Sequence, residues 1–274
     1  MMSTLLIIST KILAAFSFAL GAVIASFLNV VIYRVPKGES IVLPPSHCPK
    51  CQARIKWYQN IPILSWLYLR GKCANCKEPI SPRYILIEAL GGVLFAAIFL
   101  KYGVSVFTPI LWIWTALMIV GTMIDFDHKL LPDFVTVGGM ILGAFAATLY
   151  TGLYLTLTPL FNAFTGLLAG FGGTWLIRFL GTKAFKREAM GMGDVFLMGA
   201  IGTMFGPTAV LFTLIVSSLL GSVVGVTLIA LSKTKFGKFY EIPFGPYLAL
   251  ASTIWLFCGA ELVHWYLSLL HINL

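Results

Sequence analysis

Four cysteines fall as two Cys-x-x-Cys pairs, Cys48/Cys51 and Cys73/Cys76, with twenty-one residues between the pairs. Each pair can bite one side of a tetrahedral ion. Two such knuckles make a closed four-thiolate zinc site that leaves no position open for catalysis. A redox dithiol or a structural disulfide is the competing reading. A redox Cys-x-x-Cys usually comes singly beside a βαβ pattern, and none is present here. Pro49 and Gly71 supply turns of the kind a knuckle needs. His47 adjoins the first pair but is not needed as a ligand, and Cys258 stands alone in an apolar run as a small hydrophobe.

The second chemistry-bearing group is acidic. Only ten residues are Asp or Glu, and the four aspartates are Asp125, Asp127, Asp133 and Asp194. Three of them crowd into MIDFDHKLLPDF, and the fourth follows two glycines in EAMGMGDVFL. Asp133 follows a proline and precedes an apolar run, which predicts a helix N-cap. Asp127 reads as solvated. Asp125 directly follows a long apolar run and sits deepest of the three. Asp194 also reads as an N-cap, but Gly191 and Gly193 remove side chains where a backbone must come close to something. Two carboxylates at one depth can share a proton and do acid–base work on a peptide bond. The alternatives are a proton-coupled transporter using the same two aspartates, and a zinc-stapled scaffold without catalysis. Asp194 opens a helix while Asp125 closes one, which predicts that the shared proton rests on Asp125.

The elements that must position these groups are membrane helices. The chain has 274 residues, of which 59% are hydrophobic and 11% charged, and its mean hydropathy is +0.93. Soluble domains carry about 25% charged residues. Apolar runs near 20 residues long predict about eight transmembrane helices, at 8–33, 83–101, 107–126, 134–152, 159–180, 194–206, 208–231 and 246–269. The sixth is short and glycine-rich. Seventeen of the nineteen Lys and Arg residues then face one side, with Lys11 and Lys101 on the other. That asymmetry places the seventeen in the cytoplasm. It also accounts for the net charge of +9 without a nucleic-acid partner. A cytosolic cysteine loop argues further against disulfides. The fold class expected is all-α, a polytopic membrane protein with a small zinc-stapled cytoplasmic loop.

The motifs together resemble one family. GMGD at 191–194 resembles the GxGD motif of intramembrane aspartic proteases, and IDFDHKLLPD at 124–133 resembles the first aspartate box of the type IV prepilin peptidases. The double Cys-x-x-Cys loop, GAVIASFLNVVIYRVP (21–36), WYQNIPILSWLYLRGKC (57–73), ISPRY followed by Glu88, and EIPFGP (241–246) fall in the same family order. The family resembled is the bacterial prepilin leader peptidase/N-methyltransferase. The resemblance implies cleavage of the basic leader of type IV prepilins or type II secretion pseudopilins after a glycine, on the cytoplasmic side of the inner membrane. It further implies N-methylation of the new terminus with S-adenosylmethionine. Asp125 and Asp194 fall on the family's catalytic aspartates, and Cys48, Cys51, Cys73 and Cys76 on its zinc ligands. Some family members lack the cysteine loop and cleave without methylating, so its presence implies the bifunctional form. The domains expected are a first transmembrane helix (1–33), a zinc loop with the methyltransferase role (34–82) and an aspartic peptidase domain (83–274). No glycine fingerprint marks the residues that bind S-adenosylmethionine.

Overall fold

The computed structural model describes residues 2–231 and 243–269, side-chain surroundings being described from residue 9. Every apolar run predicted from the sequence is helical. The helices are α1 (Met2–Arg34), a single-turn α2 (Leu64–Tyr68), α3 (Pro82–Tyr102), α4 (Phe107–His128), α5 (Asp133–Tyr154), α6 (Thr158–Phe185), α7 (Met192–Phe205), α8 (Pro207–Leu231) and α9 (Gly245–Leu269). No strand occurs among the described residues, only two isolated bridges in the cysteine loop. Among the described residues, seven helices are long and apolar enough to cross a membrane. The sixth apolar helix, α7, has 14 residues. At 1.5 Å per residue it spans about 21 Å, short of the ~30 Å hydrocarbon core. Lys233, Lys235 and Lys238, together with Glu241 and Ile242 of EIPFGP, lie outside the described residues.

The chain divides into two compact units, one up to Val120 and one from Gly121 onward. In the first, α1 packs along α3, with Ala25 meeting Gly91 and Ile87, Phe95 and Ile98 enclosed. Trp112 of α4 donates its indole N–H to the Phe95 carbonyl and stacks on the Phe95 ring. The cysteine loop connects α1 to α3. Arg34, at the end of α1, is buried and donates to the carbonyls of Ser40 and Pro44, which ties the start of the loop to the helix.

The second unit is built around α7. Nearly every residue from Asp194 to Thr203 is buried, and α5, α6, α8 and α9 all contact this helix. A helix that is apolar all round belongs in the middle of a bundle. Enclosed by protein, α7 need not span the bilayer. Glycines allow the close approach. A Cβ on Gly166 of α6 would collide with the Gly202 carbonyl of α7, and one on Gly202 with the Gly166 carbonyl. Such small-residue contacts let membrane helices meet backbone to backbone. We therefore expect Gly202→Val to destabilise this unit by about 1–3 kcal/mol or more, read as a lower thermal midpoint in detergent. Gly138→Val, where nothing lies within 4 Å of the added Cβ, is expected to leave the midpoint unchanged. The outer face of α8 carries exposed Leu211, Ile215, Leu219 and Val223 at four-residue spacing, a stripe suited to lipid.

Candidate functional site

The two cysteine pairs form a repeated local structure. The N–H of Cys48 donates to the Ala53 carbonyl, and that of Cys73 to the Glu78 carbonyl. The N–H groups of Gln52 and Lys77 return to the carbonyls of Cys48 and Cys73. The tight turn after each second cysteine is made by a residue with positive φ, Gln52 (57°) and Lys77 (61°). Sequence reasoning looked to Pro49 and Gly71 for these turns. Gly71 does take a positive φ (66°), but the residue one past each pair escaped notice because neither is glycine.

The two knuckles converge. All four Sγ atoms lie within 4.8 Å of one another, and Cys48 Sγ is 3.8 Å from Cys76 Sγ. A zinc–sulfur tetrahedron with bonds of about 2.3 Å puts its sulfurs about 3.8 Å apart. No disulfide links these cysteines. The backbone N–H of Ala53 and the Asn75 amide hold the Cys51 thiol down to about 6, whereas, against the Glu78 N–H, desolvation and the three facing thiols push Cys76 up to about 11, so a bound cation is what would ionise the whole set. The donor set and spacing therefore suit zinc. His47 stays outside the cluster, its ring bonded to the Pro45 carbonyl. Lys50 pairs with Glu78 across the two knuckles at 3.1 Å, though an exposed pair of this kind contributes little.

The aspartates separate by burial. Asp125 and Asp194 are 5% and 9% exposed, whereas Asp127 and Asp133 lie at the surface. The expected caps are shifted. Pro132 occupies the cap position of α5, and Asp133 is its first helical residue with no side-chain cap bond. Gly191 occupies the cap position of α7, and Asp194 sits in the first turn. A proline at the cap position has no side-chain acceptor, so the first turn of α5 has no side-chain cap.

Three elements meet around the carboxylates. The Gly245 N–H, in the first turn of α9, donates to Asp125 Oδ2 at 2.9 Å. A Cβ on Gly245 would stand 2.6 Å from that oxygen. Leu131 packs against both Gly245 and Gly193 and would be 2.9 Å from a Cβ on the latter. The Gly191 N–H serves Asp194, and Asp125 is near enough for its charge to act on Asp194. The structure thus brings the end of α4, the start of α7 and the start of α9 together. Sequence reasoning gave Gly245 and Leu131 no role of their own, although EIPFGP and IDFDHKLLPD contain them. Asp125 closes α4 but also accepts from the start of α9, so the helix ends alone no longer separate the two carboxylates as the placement of the shared proton on Asp125 required.

The GMGD segment is itself anchored. Arg178 of α6 donates through Nε to the Met190 carbonyl and pairs with Glu188, each at 3.0 Å. This fixes the chain immediately before Gly191. We expect Arg178→Ala to lower turnover about tenfold with KM unchanged, and Arg178→Lys to recover part of it. A rise in KM with unchanged turnover would assign Arg178 to substrate contact instead.

Residues 19–102 match the Bacterial Peptidase A24 N-terminal domain, and residues 112–226 match the Type IV leader peptidase family. The cysteine cluster lies in the first match and both buried aspartates in the second. A prepilin leader peptidase/N-methyltransferase of Myxococcus xanthus is 40% identical over 79% of this chain, which spans 63% of that relative's length. One of Pseudomonas putida is 34% identical over 89% of this chain and 90% of its own. A type 4 prepilin-like proteins leader peptide-processing enzyme of Escherichia coli is 38% identical over 86% and 91%. No solved structure matches. With both matched segments in order and two of these relatives aligned over 90% and 91% of their own length, the chain belongs to the type IV leader peptidase family, that of the prepilin leader peptidase/N-methyltransferases.

Proposed function

We propose that this protein removes the leader of a prepilin or pseudopilin after a glycine, using Asp125 and Asp194, and then methylates the new N-terminal amine from S-adenosylmethionine. The observation that carries the peptidase reading is the pair of buried carboxylates set beside Gly193 and Gly245 in one unit. The pair holds one proton between them. The ionised member takes a proton from a water molecule, and the protonated member donates to the scissile carbonyl oxygen. The water oxygen bonds to the carbonyl carbon. A proton then passes to the amide nitrogen, the C–N bond breaks, and the amine leaves with the mature chain. Glycine at 191, 193 and 245 lets the backbone close on Asp194, Leu131 and Asp125, where an added Cβ would stand 3.1, 2.9 and 2.6 Å away, and a leader ending in glycine suits a site so confined.

The active face is cytoplasmic in this reading, on the distribution of basic residues, in a bacterial inner membrane. Lipid surrounds the helices, and the apolar helix of the pilin enters between them. Cys48, Cys51, Cys73 and Cys76 would hold a zinc ion whose role is to cross-link the loop. The loop and its zinc belong to methyl transfer, and the peptidase chemistry belongs to the transmembrane part that follows. Nothing in the site or among the relatives favours the transporter alternative.

The test is a mass spectrum of a synthetic prepilin incubated with the protein in membranes, with and without S-adenosylmethionine. Expected are loss of the leader after a glycine in both samples, and one added methyl group only with the donor. An intact leader in both would overturn the reading.

A further inference from the structure

An N-methyltransferase needs a place for its methyl donor. The first unit contains a cavity of about 880 Å³, within the range of small-molecule sites. Ser26 and Asn29 of α1, Glu88 of α3, and Gln59, Asn60 and Trp66 of the cysteine loop are among its lining residues.

Glu88 is the unexplained group there. It is 8% exposed, yet no described Lys or Arg pairs with it. A buried carboxylate without a cation is costly. Its Oε2 accepts the Ile63 N–H at 2.7 Å, while no described donor reaches Oε1. Ile63 has φ 64° and ψ −54°, and the Leu64 N–H returns to the Pro62 carbonyl at 2.6 Å. This is a γ-turn of the rare, strained hand. Holding that turn explains one oxygen of Glu88. It does not explain the charge, because a glutamine oxygen would accept the same N–H.

We propose that this cavity binds S-adenosylmethionine and that Glu88 Oε1 receives the donor's ammonium group. This rests on the methyl-transfer reading above. The charge-assisted hydrogen bond supplies the cation that the buried carboxylate lacks. In the transfer, the amine lone pair of the mature chain forms the N–C bond as the C–S bond breaks. Sulfur keeps that bond's electron pair, and the amine's surplus proton goes to water.

The test uses the full chain in nanodiscs and calorimetric titration with three probes. Glu88→Gln keeps an acceptor for Ile63 but loses the charge. It is expected to weaken S-adenosylmethionine and S-adenosylhomocysteine about tenfold while leaving 5′-methylthioadenosine, which has no ammonium group, unchanged. Unchanged affinity for the first two would overturn the role of Glu88, and so would an equal loss for all three, which marks a collapsed cavity. Ultraviolet crosslinking of labelled S-adenosylmethionine to wild type is expected within residues 26–88. Attachment only beyond residue 121 would overturn the site. If wild type binds no probe and methylates nothing, the methyl-transfer reading itself fails, which is a different result from a normal wild type and an indifferent variant.

Discussion

Asp194→Asn and Asp125→Asn should each lower leader trimming by at least about 10³-fold, with KM for the prepilin within a factor of about two of wild type. The reason is chemical. An asparagine keeps the shape of the side chain and can still accept the Gly245 N–H that Asp125 accepts. It cannot take a proton from water or share one with its neighbour. Removing a buried negative charge should not lower stability, so thermal midpoints should be equal or higher. The Asp125→Asn, Asp194→Asn double variant should be no slower than either single variant, because two groups acting as one catalyst fail together. Additive losses would show two independent contributions rather than a shared one. Asp127→Asn, at the surface, should trim within about twofold of wild type.

The second large effect concerns metal. Structural zinc contributes about 10–16 kcal/mol of apparent binding free energy to finger-sized modules. Arg34 and Glu88 anchor the loop between α1 and α3 near Ser40, Pro44 and Ile63, but its regular elements are only short helical turns and isolated bridges. Cys73→Ser, or stripping with a strong chelator, should therefore open the segment between Cys48 and Cys76 to protease and abolish methylation. Trimming should persist at no less than about half its rate, because both aspartates and every described group that touches them lie beyond Val120. Metal analysis of the purified protein should return one zinc per chain. Equal loss of trimming and methylation on chelation would tie the loop to peptide hydrolysis and contradict the division of labour.

What could be read from the sequence follows from the range of each signal. Most ends of the long helices were legible to within about two residues because hydropathy and Pro or Gly punctuation are local properties, but α1 begins before the expected residue 8, at Met2, and α6 runs past the expected residue 180 to Phe185. Pro207 and Gly245 open helices where the apolar runs begin. The shortness of α7 was legible as well, and the structure supplies its cause, enclosure by four neighbours. Legible too was the convergence of four cysteines, because each knuckle is fixed by its own spacing. What was not legible is non-local. The N–H that Asp125 accepts comes from a residue 120 positions away, and no periodicity points to it. Leu131 looked like one apolar residue among many. Asp133 looked like a cap because an aspartate after a proline and before an apolar run fits that position, which Pro132 itself takes. The cavity beside Glu88 draws on α1, α3 and the loop between them, so its residues carry no common motif.

The measurement that bears most directly on the central claim is the product mass spectrum of Asp194→Asn given two substrates in the presence of S-adenosylmethionine. With full-length prepilin, the account predicts an intact, unmethylated chain. With pilin already lacking its leader, it predicts one added methyl group, because the donor site and the carboxylates are separate. A trimmed product from the full-length substrate would contradict the account, since hydrolysis would then proceed without the Asp194 carboxylate.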